Sequence, residues 1–322
     1  MNRYLLNISY IGTNFRGIQK IVNKVEGPHV DTKTIQGCIE LALRSLNPIN
    51  EIQTVISSRT DAGVHALHST LHVDLQRRNS KPFDPTTITC VLNRLLQKNG
   101  FPIRVLSTQQ VPDTFHCRYN ARGRNYLYRF AVAKNGNSHT DRLKNHDVFM
   151  PVEELDRCYF LQNCNFDIER LRAGSHMFLG LHNFRTFMSV SRQRSATRDH
   201  PRYTLRTIDQ IIVKPGKSVA VGANARLAES LYDYWDIEFT AKAFLYKQVR
   251  RMVGALLALA TGRIDERSLY QMLTIPSKNS WDHRVLLSPP FGLYLCRVYY
   301  DEKDLKLPEV FNSNELAGAA SN

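Results

Sequence analysis

"IQTVISSRTDAGVHALHSTLHVDLQ", residues 52–76, reads as strand, turn and strand. "IQTVISS" is β-branched and apolar, and "STLHVDLQ" alternates apolar with polar residues, the pattern of a half-buried strand. Between them "TDAG" is turn chemistry, a β-turn with Asp first and Gly fourth. A turn needs Asp and Gly, but it does not need Arg59 two residues before Asp61 or His65 four residues after it.

The pattern continues outward. "RYLLNISYIG" (3–12) is a first strand closed by a glycine turn, and Thr34 caps a helix through Ile35, Cys38, Ile39, Ala42 and Leu43, stopped by Pro48. "FDPTTITCVLNRLLQKNG" (83–100) is a helix with Asp84 as N-cap, Pro85 at its first position and Gly100 past its end. "IRVLSTQQV" (103–111) and "NYLYRFAVA" (125–133) are strands, and "DRCYFLQNC" (156–164) reads as helical. "IDQIIVKPG" (208–216) and "YDYWDIEFTAKAF" (232–244) form a hairpin with a long irregular tip; "KQVRRMVGALLALATG" (247–262) is a helix and "GLYLCRVYY" (292–300) a last strand.

Strands and helices mixed in this way, with hairpin-like neighbours, favour an α+β protein with helices packed on mostly antiparallel sheets. The boundary near Val111 to His116 divides the chain into an N-terminal α+β domain, 1–112, and a C-terminal one, 113–304. Residues 305–322, ending in "NSNELAGAASN", are expected to be a disordered tail.

The 322 residues carry 43 Lys+Arg against 29 Asp+Glu, a formal charge of +14, which favours a polyanionic partner and nucleic acid first. None of the six cysteines forms a C-x-x-C pair, against a zinc ribbon or a secreted disulfide framework. No apolar run approaches the roughly 20 residues of a membrane span. A soluble intracellular protein is expected, with no clear transit peptide in "MNRYLLNISY". His65, His68 and His72 would share a helix face, but the segment is turn and strand, so no metal site is expected there.

Seven segments, in order, resemble the TruA-type tRNA pseudouridine synthase family: "YIGTNFRGIQ", "SSRTDAGVHA", "FHCRYNARGRNYLYRF", "LGLHNFRTF", "TLRTID", "FLYKQVRRMVGAL" and "PPFGLYL". The resemblance implies two α+β domains of ferredoxin-like plan with a catalytic cleft between them. It also implies a homodimer acting on tRNA and an isomerisation without cofactor or metal. Animal members suggest a mitochondrial substrate.

On this resemblance Asp61 is the catalytic carboxylate, Arg250 its cationic partner, Tyr126 the ring stacked on the target base and Arg59 the side chain that opens the nucleotide from its stack. Arg118, His65 and Tyr128 are further substrate-binding candidates, Tyr128 ranking behind Tyr126 because, on the same strand face, it reads first as core. Helix phase supports Arg250 independently. It flanks the apolar stripe Val249, Met252, Val253, Leu256 and Leu257, whereas Arg251 falls on the solvated or RNA-facing side with Lys247. Arg185, Arg192, Arg194, Arg198, Arg202 and Arg206, with Asp199 the lone acid among them, read as an RNA surface. Ile11 and Ile18 depart from the family's Y-D-G and G-W-Q, at positions expected near the RNA path. A non-catalytic RNA-binding protein or chaperone of the same fold is the alternative.

Overall fold

The computed structural model of the chain describes residues 1–20, 31–79, 81–134, 150–162, 165–189 and 201–308. In the first third, β1 (Asn2–Tyr10) leads to α1 (Ile35–Leu43), β2 (Thr54–Ile56), β3 (His65–Leu75), α2 (Pro85–Lys98) and β4 (Ile103–Val111). Thr34 Oγ1 accepts the Gly37 N–H and the Asp84 carboxylate accepts that of Thr87, so both helices start on the expected caps.

The second part opens with β5 (Gly123–Ala133), β6 (Tyr159–Leu161), α3 (Ile168–His176) and β7 (Gly180–Asn183). It continues through α4 (Pro201–Thr204), β8 (Leu205–Pro215), α5 (Gly222–Leu231) and β9 (Tyr232–Ala241). It closes with α6 (Gln248–Ala260), α7 (Glu266–Thr274), β10 (Leu293–Tyr299) and α8 (Glu302–Leu305).

These strands make one sheet in the order β4-β1-β3-β10-β5-β9-β8-β7, with β2 added to β3 and β6 to β5. The pairings are antiparallel except β3 with β10 and β5 with β6, so the expected mixed, mostly antiparallel α+β layout holds. The first part contributes β4, β1 and β3, and the second reaches them through β10. That seam consists of Tyr294 opposite His65 and Leu295 opposite Ala66. One hydrophobic cluster crosses it, from Leu6 and Ile39 through Leu295 to Phe239 and Leu256. No helix among the described residues is long and apolar enough to cross a membrane.

Three readings need correction. Residues 156–164 do not begin a helix. Asp156 has φ of 55°, which helical backbone excludes, and Tyr159–Leu161 runs parallel to Phe130–Val132 as β6. The turn before it is held by Glu154, fully buried, whose carboxylate meets the Arg129 guanidinium at 3.1 Å. The hairpin tip between β8 and β9 is not irregular throughout, since α5 occupies ten residues of it. Leu305, placed at the start of a disordered tail, ends α8, and its carbonyl accepts from Gln109 Nε2. The stretch "NSNELAGAASN" lies outside the described residues, as do Cys164, Arg192, Arg194, Arg198 and Asp199, and the Arg202 side chain.

His72, on β3, is buried, and its Nδ1 accepts the Cys117 N–H at 3.3 Å. Burial, then Arg3 and His116, lowers its pKa from 6.5 to about 4, with Asp74 opposing. The unfolded chain therefore binds a proton between those values that the folded chain refuses, and stability is lost as pH falls from about 6.5 towards 4. His72→Gln is expected to flatten that decline in urea-unfolding midpoints taken at pH 7 and pH 5. An unchanged difference between the two would exclude His72 as a source of it.

Candidate active site

Asp61 opens the turn that delivers the chain into β3. The Val64 N–H donates to the Asp61 carbonyl at 3.2 Å, so Gly63, with φ of 77°, is the third residue of that turn and not the fourth. The loop after β1 braces it. The Ile18 N–H donates to the Thr60 carbonyl at 3.3 Å, and the Tyr10 hydroxyl lies 2.8 Å from Thr60 Oγ1. A Cβ on Gly12 would lie 1.9 Å from the Val64 carbonyl oxygen, so only glycine permits the close approach.

Arg250 comes from the first turn of α6, which starts after Lys247 in the left-handed region at φ of 60°. Its Nε donates to the Ser288 carbonyl at 2.8 Å and its Nη1 reaches Asp61 Oδ2 at 3.1 Å. Four residues on, a Cβ on Gly254 would meet the Leu286 carbonyl oxygen at 2.2 Å. The helix therefore lies directly against the 286–288 segment, which is what puts Ser288 within reach of Arg250.

Burial pushes the Asp61 carboxyl above its ordinary range; Arg250, by charge and hydrogen bond, and Lys247 pull it down without overcoming burial. The pair is enclosed rather than sealed, with side-chain exposures of 9% for Arg250 and 21% for Asp61.

Tyr126 is two strands away. It stands opposite Leu295 of β10, which stands opposite Ala66 of β3, so strand spacing puts it about 10 Å across the sheet from the residues just after the turn. Its ring meets Phe244 edge to face at 5.2 Å, and burial raises its phenol pKa. A carboxylate from the turn before β3, a guanidinium from α6 and an aromatic ring from β5 thus lie on neighbouring parts of the sheet and its helix. This set can hold a base and act on the carbon that carries it.

A profile of the tRNA pseudouridine synthase family matches residues 7–120 and 175–301. The chain belongs to this family. It is 34% identical to tRNA pseudouridine synthase-like 1 of Xenopus laevis over 94% of this chain and 93% of that one. It is 32% identical to the protein of the same name from Homo sapiens, covering 92% and 90%. With tRNA pseudouridine synthase A of Dinoroseobacter shibae it shares 30% identity over 95% of this chain and 99% of the other.

The other residues singled out by family resemblance divide. Arg59 and Arg118 are both exposed, Arg59 two residues before Asp61 and Arg118 with its carbonyl accepting from Arg124 Nη2 at 3.3 Å. Tyr128 is fully buried and its hydroxyl donates to the Pro289 carbonyl at 2.9 Å, which makes it core. His65 is also fully buried, with both ring nitrogens engaged: Nδ1 accepts the Gly12 N–H at 2.9 Å and Nε2 lies 2.8 Å from the Asp156 carbonyl. It offers no free nitrogen to a substrate in this arrangement, because it fastens the loop after β1 to the start of β3. His68 and His72 lie further along that strand, and among the described residues no three His, Cys, Asp or Glu side chains are placed to hold a metal ion.

Arg251 is half-buried rather than on a fully solvated face. Its guanidinium stacks on Trp281 at 4.3 Å and donates to the Thr186 carbonyl. Arg185 is likewise buried, so the described part of the basic run is not uniformly a surface. Ile18 is fully buried, its N–H donating to the Thr60 carbonyl in the turn that carries Asp61, and Ile11 is half-buried. Sequence reasoning missed Lys247, Gly254, Phe244 and Ser288. Only Ser288 carried a local signal: it precedes Pro289, which holds its backbone extended.

Gly254→Ala should therefore act at a distance. Displacing α6 from Leu286 is expected to cost about 1–3 kcal/mol of stability in urea unfolding. It should also slow turnover at temperatures where the variant stays folded, because Arg250 moves with the helix. Unchanged turnover would separate the packing of α6 from the Asp61–Arg250 contact.

Proposed function

We propose that this protein isomerises uridine to pseudouridine in tRNA, using the Asp61 carboxylate and no cofactor. The observation that carries the reading is the Asp61–Arg250 contact, which joins groups 189 residues apart at a site shared with Tyr126. Packing alone gives no reason to bury a carboxylate there, since burial disfavours its charge. Family membership supplies the reaction that would use it.

The chemistry assigns each group a task. The N1–C1′ bond of uridine breaks and a C5–C1′ bond forms, while C5 loses a proton and N1 gains one, so atoms and electrons balance without a redox partner. Ionised Asp61 acts on the sugar or base as the glycosidic bond opens. Arg250 keeps it ionised and directed. The Tyr126 ring supports the uracil through its rotation, because stacking tolerates in-plane turning. Arg59, exposed two residues before Asp61, fills the space the flipped nucleotide leaves, and Arg118 meets the backbone nearby.

The same reading takes residues 1–112 and 113–304 as two units of ferredoxin-like plan meeting at the β3–β10 seam, with the RNA cleft between them. It takes the assembly as a homodimer that holds one tRNA across both subunits. The animal relatives point to mitochondrial tRNA as the first substrate to try.

Pseudouridine mapping of tRNA incubated with purified protein tests the core of this. Wild type should introduce pseudouridine at a defined position, and Asp61→Ala should introduce none while binding tRNA as before. Equal binding without modification by either protein would instead favour an RNA chaperone of the same fold.

The pH profile gives a second test. Ionised Asp61 is the active form and its pKa is raised, so the rate should fall off on the acid side above the ordinary carboxylate range near 4. Arg250→Gln removes the lowering influence, so the limb should move to still higher pH, with a loss of rate of roughly 10²-fold or more. A limb that stays in place would mean that Arg250 does not govern the ionisation of Asp61.

A further inference from the structure

Arg124 is a buried guanidinium on β5, 8% exposed, two residues before Tyr126. Its Nε donates to Ser58 Oγ at 3.0 Å and its Nη2 to the carbonyls of Ser57 at 3.1 Å and Arg118 at 3.3 Å. Its Nη1 donates to the Lys242 carbonyl at 2.7 Å. Among the described residues its partners are three carbonyls and one hydroxyl, with no carboxylate. A buried cation without a counter-ion is unusual, and burial works against its charge.

The partners explain its place. Ser57 and Ser58 are the residues before Arg59, Thr60 and Asp61, and Ser57 is itself fixed to β3 through the Thr70 carbonyl. Lys242 is the first residue past β9, where the chain turns towards Lys247 and Arg250. Arg118 is the exposed arginine assigned to the RNA backbone. One planar group therefore holds the segment that delivers the carboxylate, the segment that delivers its arginine and the turn that carries Arg118. It does so from the strand that presents the stacking tyrosine. A fork of fixed geometry can do this, whereas an ammonium on a flexible stem cannot.

We infer that Arg124 is a positioning residue for uridine isomerisation, setting the distance between Asp61 and Arg250 by tying Ser57, Ser58 and Lys242 to β5. The inference rests on the synthase reading. It assigns Arg124 no contact with the reacting atoms.

The test compares Arg124→Lys and Ser58→Ala with wild type in the full-length protein. Single-turnover pseudouridine formation, tRNA affinity at several salt concentrations and the pH–rate profile are measured for each. Arg124→Lys keeps the charge and loses the fork. It should slow the single-turnover step roughly 10- to 100-fold, as a displacement of about an ångström does. Its tRNA Kd should stay within about twofold, because charge at the RNA surface is unchanged. The acid limb should move to higher pH, in the direction of Arg250→Gln, because a slackened ion pair leaves burial to dominate at Asp61.

Ser58→Ala removes one bond of the four and should give a smaller slowing, roughly fivefold, with the same sign of pH shift. The double variant should lose less than the product of the two, since both act through one contact. Ser58→Ala also keeps the inference open to refutation if Arg124→Lys fails to fold. Weakened tRNA binding with a reduced salt slope and an unchanged single-turnover rate would make Arg124 a phosphate contact and overturn the inference. Unchanged rate and unchanged acid limb in both variants would overturn it as well. A wild-type protein that forms no pseudouridine sinks the underlying reading, and this inference with it.

Discussion

Asp61 is largely withdrawn from water, and burial raises its pKa. The architecture around it works against that tendency. Arg250 is aimed by Ser288, the 286–288 segment is met at close range by Gly254, and Lys247 adds charge from the start of the same helix. The opposition is incomplete, because burial still outweighs the cations. A carboxylate balanced in this way is more basic than an exposed one, which suits the role proposed for it.

This balance accounts for features that look unrelated. The glycines at 12 and 254 serve close approach, one against Val64 at the end of the Asp61 turn and the other between the arginine helix and Leu286. His65 is spent on fastening, its two nitrogens joining the loop after β1 to the turn that contains Asp156. Arg251, next to the ion-paired arginine, packs on Trp281 and ties the 186–188 turn to the same helix. Adjacent arginines on one helix thus meet a carboxylate and an indole ring in turn, as a rotation of about 100° per residue dictates.

Much of this was legible in the residues. Strand alternation, the Thr34 and Asp84 caps and the phase that sets Arg250 on the flank of an apolar stripe are local signals, and local signals survive folding. What was not legible depended on partners far away in sequence. Residues 156–164 carry apolar residues suited to a helix, but Arg129 and Glu154 fix the preceding turn and β5 offers a free edge. Arg251 looked solvated because Trp281, thirty residues on, could not be placed against it. Ile18 looked like an altered RNA contact because nothing in "GIQ" shows that the residue lies beneath Thr60. The pairing of Asp61 with Arg250 came from resemblance and helix phase together; neither the Ser288 carbonyl nor the Lys247 charge was foreseeable from spacing.

The seam between β3 and β10 has a consequence for how the chain is made. The strand that follows the Asp61 turn finds this neighbour in the last strand of the described chain, and the Thr70–Tyr300 hydroxyl contact beside it spans 230 residues. A ribosome that has released Asp61, Tyr126 and Arg250 has therefore still not released the strand that joins their supports. Until it does, the edge of β3 at His65 and Ala66 is open, a place where nascent chains pair wrongly or engage chaperones. Assembly of the site therefore waits on β10, and a chain cut short before Leu293 loses the seam while keeping Asp61, Tyr126 and Arg250.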